Sequence, residues 1–196
     1  MHAARQPRSW LIFDVGQAMK TLTYFPIPDA EDEEWINVTK EQQYFLFADS
    51  YWDAAAELLT VFKASGLKPK QRAFPFLYLF SHSIELFLKG FIVHKTGAHP
   101  RGHDIYALSK ELCATFPGEG KMMNIFAQVT CIQLGAYDKT GWVFKYPQDD
   151  SVLVSMDQAE VMLLETKKWI EDLRTRIGLG RDKLPELGAP MPRPKK

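Results

Sequence analysis

The sequence predicts an all-α protein, a bundle of five helices, on three observations. Apolar residues recur at helical spacing in long blocks. Breaks rich in Gly and Pro separate those blocks. No pair of alternating segments reads as a strand hairpin. The first helix opens at Thr39, with Gln42 three residues on as a capping box. Tyr44, Phe47, Ala48, Tyr51, Ala55, Leu58, Leu59 and Phe62 are its expected stripe, and Gly66 its stop. The second runs from about Lys70 to Lys95, with Pro75 near its start, where proline is tolerated. Leu77, Phe80, Ile84, Phe87, Leu88 and Phe91 form its main stripe, widened by Phe76, Leu79 and Ile92. A helix apolar nearly all round is central to its bundle.

After "KTGAHPRG" a third helix begins at "HDIYALSKEL", with Ile105, Leu108 and Leu112 on one face. "PGEG" separates it from a fourth, around "KMMNIFAQVTCIQLG". The last is capped by Ser155 with Gln158. Its seam is Ala159, Leu163, Thr166, Ile170, Leu173 and Ile177, closed by Gly178. This divides the chain into an N-terminal extension (1–38) packed on the body, a helical domain (39–178) and a flexible basic tail (179–196).

Composition narrows the function classes. Lys+Arg and Asp+Glu both number 24, so the net charge is zero and gives no support to non-specific nucleic-acid affinity. Cys113 and Cys131 lack CxxC spacing and read as reduced thiols of a cytoplasmic protein. The N-terminal apolar run is too short for a signal peptide, because Asp14 interrupts it. "AFPFLYLF" is broken by "SHS", Glu85 and Lys89, so no segment reads as membrane-spanning. P-loop, dinucleotide and GxSxG motifs are missing. His94, His99 and His103 match no recognised ligand pattern, so neither a metal nor a cofactor is expected.

The unusual feature is polar groups inside the most hydrophobic helix. His82, Glu85 and Lys89 stand at i, i+3 and i+7 and share one face. Glu85 precedes Lys89 by four, the favourable order for a helical ion pair. His103 and Asp104 follow after a short loop and are expected to pack against them. Two readings stay open: a polar network that fixes helix register, or a pocket between helices.

These segments resemble the HEPN domains of prokaryotes. "FLYLFSHSIELFLKGFIVHKTG", "GHDIYALSKEL" and "FKYPQDDSVLVSMDQAEVMLLETKKWIEDL" carry the likeness over roughly residues 40–178. Glu85, Leu86, Leu88, Lys89, His103, Asp104, Lys145, Tyr146 and Pro147 stand at matching places. Ile105 replaces the usual leucine and Lys145 the usual arginine. Many HEPN proteins are metal-independent RNases with Arg, four to six residues, then His. That motif is absent, and Lys89 with His94 is its nearest imitation. The resemblance therefore implies a non-catalytic binding module, associated with nucleotide or RNA or with a partner such as a nucleotidyltransferase or a toxin–antitoxin or defence component. Its binding residues would be His82, Glu85, Lys89, His103, Asp104, Lys145 and Tyr146. Two alternatives are a divergent RNase using His82, His103 and Lys145, and a purely structural or oligomerising protein. The resemblance and the 13% aromatic content both point to a homodimer or hetero-complex.

Overall fold

The computed structural model describes residues 38–65, 73–137 and 156–184. They form five α-helices, α1 (Lys40–Ala64), α2 (Ala73–Thr96), α3 (Ile105–Thr115), α4 (Gly120–Tyr137) and α5 (Met156–Arg176), followed by a 3₁₀ turn, Arg181–Lys183. No strand occurs among the described residues. The all-α expectation holds. Of the expected extension, only Val38 falls among the described residues, and it packs against the core.

Local chemistry sets the helix ends. At α1 the Thr39 hydroxyl accepts from the Gln42 N–H, and the Gln42 side chain accepts from the Thr39 N–H, which completes the capping box. α2 stops at Gly97, whose φ of 69° turns the chain away while its N–H reaches the Val93 carbonyl. The Asp104 carboxylate caps α3 through the Ala107 N–H at 3.1 Å. α5 closes in a Schellman motif. Gly178, at φ 75°, donates to Thr175, and Leu179 donates to Arg174. Gly66 and Ser155, expected as a stop and a cap, lie outside the described residues.

α2 is the centre of the bundle. It contacts α1, α3 and α5, and every residue of its expected main stripe is buried. Its segment Pro75–Thr96 is long and apolar enough to cross a membrane by length and composition alone, which corrects the reading that no segment is; 78% of its apolar window is buried among the other helices. Ile105, Leu108 and Leu112 of α3 are buried as expected. So are Ala159, Leu163, Thr166, Ile170 and Leu173 of α5.

The expected stripe of α1 is rotated. Phe45, Leu46 and Trp52 are buried with Ala48, Ala55 and Leu59, whereas Phe47 is exposed. The reason lies in α2. Phe45 meets Phe91 edge-on at 5.0 Å, and Trp52 meets Phe80 at 5.3 Å. An aromatic-rich helix offers several plausible faces, and the partner's rings select one.

The tail expected from 179 also needs correction. Leu179 packs against the core, Leu184 is buried, and Arg181 pairs with Asp53 of α1. Residues 185–196 of the expected tail lie outside the described residues.

Gly90 marks the closest approach of α1 to α2. A Cβ there would lie 3.1 Å from Tyr44 Cβ and 3.2 Å from the Phe45 ring. Both neighbours are fixed by the helix backbone and the core. Gly90→Leu is therefore expected to cost roughly 1–3 kcal/mol through overpacking, measured by urea denaturation. Unchanged stability would mean the two helices are not in close contact.

Candidate functional site

The polar face of α2 meets the start of α3. Glu85 is buried on the central helix, its side chain 8% exposed. Its Oε1 accepts from Lys89 Nζ at 2.7 Å and from His103 Nδ1 at 2.9 Å. His82 Nδ1 lies 3.7 Å from Oε2, an electrostatic neighbour too distant for a hydrogen bond. Helical spacing provides the contacts from His82 and Lys89. The Gly97–Gly102 loop returns the chain so that His103 reaches back to Glu85 just before α3 begins.

Burial alone would raise the Glu85 carboxyl. The neighbouring His82, the bond and charge of Lys89, and the bond from His103 overcome that penalty and lower it from 4.5 to about 2. The carboxylate is ionised at neutral pH. An ionised carboxylate only accepts hydrogen bonds, so His103 presents an Nδ1–H and its Nε2 is free of this contact.

The partners differ in exposure. Lys89 is buried, His82 is half-buried, and the His103 side chain is 67% exposed. The Tyr51 ring stands edge-on to the His82 ring at 4.5 Å, and Tyr78 lies parallel to it at 5.9 Å. Burial, with Tyr78 alongside, pushes the Tyr51 phenol up. The site is thus a buried carboxylate with one buried cation, two imidazoles and two tyrosines.

His82, Glu85, Lys89 and His103 come together as the spacing suggested. Asp104 does not join them, since its carboxylate caps α3. Lys145 and Tyr146 lie outside the described residues. His99 contacts the Tyr44 hydroxyl at 3.3 Å, and His94 is exposed at the end of α2. Among the described residues, no group of three or more His, Cys, Asp or Glu side chains is placed to hold a metal ion. Neither described cysteine is in a disulfide, and burial pushes both thiols up, Cys131 most.

Sequence reasoning missed a second buried charge. Arg174 of α5 is 2% exposed, and its Nη1 reaches both oxygens of Asp49 on α1, at 2.8 and 3.0 Å. Its Nε donates to the Leu179 carbonyl, and its guanidinium lies over the Phe45 ring at 5.2 Å. Burial raises the Asp49 carboxyl, and the bonds and charges of Arg174 and Arg181 offset only part of that. One signal was present: Arg174 stands four residues after Ile170 and next to Leu173, on the apolar seam.

No family model matches this chain, and comparison with curated proteins and with solved structures returns no match.

Removing Glu85 would leave Lys89 buried without its counter-charge. Glu85→Ala is expected to cost about 3 kcal/mol, and Glu85→Ala with Lys89→Met together less than the two changes added. A denaturation double-mutant cycle reads this, and strict additivity would deny the pair. The pH dependence has a definite sign. The folded carboxyl is depressed, so its stabilisation is complete above about pH 5 and is lost as pH falls from 4.5 toward 2. That loss is worth roughly 3 kcal/mol. Glu85→Gln should flatten this part of the acid-denaturation curve; an unchanged acid limb would mean the carboxyl is not depressed.

Proposed function

We propose that this chain is a HEPN-like helical module without nuclease chemistry of its own, which binds nucleotide or RNA, or a protein partner, through the corner where α2 meets α3. The observation that carries the reading is that Glu85 is already engaged. Its carboxylate is depressed to about 2 and bonded to Lys89 and His103. A base so acidic takes a proton poorly at neutral pH. Lys89 is buried on Glu85 and so cannot stand in for the arginine of an Arg–His nuclease motif, which would have to reach a phosphate.

What this corner offers outward is a set of donors and cations. His94, Lys95, His99, Arg101 and His103 are all exposed within ten residues of chain. Such groups suit phosphate oxygens, which position a nucleic acid without reading its sequence. A protein partner carrying acidic residues would use the same surface, in a homodimer or a hetero-complex.

One observation favours a second reading, a divergent metal-independent RNase. Glu85 orients His103 through Nδ1, while His82 faces the other carboxylate oxygen. Two imidazoles beside one carboxylate are what acid–base cleavage of a phosphodiester uses. Lys145 would complete this set.

Incubating the purified chain with labelled single-stranded RNA in EDTA separates the readings. The binding module predicts salt-sensitive binding, weakened several-fold by Arg101→Ala with His103→Ala, and intact RNA. Cleavage abolished by His103→Ala or by His82→Ala would replace it with the second reading. Neither binding nor cleavage would remove nucleic acid from the account.

A further inference from the structure

The outer face of α5 carries apolar side chains that the bundle does not use. Ala159, Leu163, Thr166, Ile170 and Leu173 turn inward and are buried. Val161 and Leu164 turn away from them and are 60% and 57% exposed. A β-branched residue is a poor helix former, and at an exposed position no packing offsets that cost. Asp157 and Lys168, both exposed, stand at either end of this pair. The steps from Asp157 to Val161 to Leu164 to Lys168 are four, three and four residues, so all four share one face of the helix. The stripe spans about 16 Å. None of these residues belongs to the α2–α3 corner, so this face is independent of the function proposed above.

The charges at the two ends are not engaged within the chain. Glu160, Lys167 and Arg176 of the same helix make ion pairs, whereas among the described residues Asp157 and Lys168 make none. Asp157, in the first turn, complements the helix dipole. Lys168 stands about two turns before the end of α5, beyond the reach of that effect. From N- to C-terminus the stripe reads acid, apolar, apolar, base. Reversed, that order is its own complement. A two-fold axis midway between Met162 and Leu163 sets Asp157 opposite Lys168 of a second copy, and Val161 opposite its Leu164.

A parallel copy would set like charge against like. A wholly acidic partner helix would suit Lys168 but oppose Asp157, and a basic one would do the reverse. We propose that this face is the interface of a symmetric homodimer, in which α5 packs antiparallel on α5 of a second copy. Each protomer presents the same surface, as a closed two-fold contact requires. Two Val–Leu contacts form the centre. An Asp–Lys pair closes each end, and like-charge repulsion excludes the parallel arrangement. The contact is one helix face wide, which places it among small transient interfaces, below about 1,200 Å². Its dissociation constant is expected on the order of 10–100 µM.

Sedimentation velocity of the full chain in low-salt buffer, from about 5 to 500 µM, reads the association. The native chain is expected to pass from monomer to dimer over this range. Asp157→Lys sets a lysine opposite Lys168 at both ends, and Lys168→Asp sets an aspartate opposite Asp157. Each variant alone should self-associate at least about tenfold more weakly. Mixed in equal amounts, the two regain opposite charges at both ends, and a one-to-one heterodimer of near-native affinity is expected. Both changes are at exposed positions, and circular dichroism checks that helix content is kept. Leu164→Gln removes the apolar centre without touching either charge, and should weaken association by a similar factor. A native chain that stays monomeric across the range would overturn the proposal. So would a dimer that these changes leave intact, or two folded charge variants that fail to associate when mixed.

Discussion

The buried carboxylate of Glu85 is the constraint on which the α2–α3 corner depends. An ionised acid inside the central helix of an apolar bundle is tolerated only with cations and donors at close range. Lys89 supplies the charge from one turn along the same helix. His103 supplies a second donor from the far side of a loop, and that contact fixes where the chain must be when α3 begins. Asp104, the next residue, then caps α3. One carboxylate thus couples the polar face of α2 to the position of the following helix.

Arg174 shows the same physics with the charges reversed. There the buried group is a cation, Asp49 of α1 is its counter-charge, and the Leu179 carbonyl beyond the end of α5 takes a further donor. Each buried charge is bonded from another segment of the chain, Glu85 by His103 and Arg174 by Asp49, and each bond ties two segments together. The difference lies in completeness. Glu85 is surrounded by donors, whereas Arg174 keeps one nitrogen without a partner beside a cavity. Answered polarity holds two segments in register. The functional interest of the first cluster therefore rests on its exposed member, His103, rather than on its buried core.

Much of this was legible in the sequence. Periodicity placed α3 and α5 and their buried faces, because each has one clearly apolar stripe, and α2, because a helix apolar nearly all round belongs at the centre. The i, i+3, i+7 spacing of His82, Glu85 and Lys89 assembled the polar cluster, and the short loop brought His103 to it. What the sequence left open required knowledge of a partner surface. The α1 stripe rotated toward Phe45 and Trp52 because the rings of α2 receive them, and Gly90 mattered only once α1 lay against it. Asp49 and Arg174 are 125 residues apart, and no local pattern joins them. Asp104 reads as a member of the cluster by adjacency, yet the unpaired N–H groups at the start of α3 claim its side chain.

The tautomer of His103 tests the central claim most directly. A free imidazole side chain in its neutral form prefers the proton on Nε2. A carboxylate held against Nδ1 reverses that preference. Imidazole ¹⁵N spectra at alkaline pH, where the ring is neutral, distinguish the two forms residue by residue. The account predicts a His103 protonated at Nδ1, reverting toward Nε2–H in Glu85→Ala. A His103 already protonated at Nε2 in the native chain would contradict it.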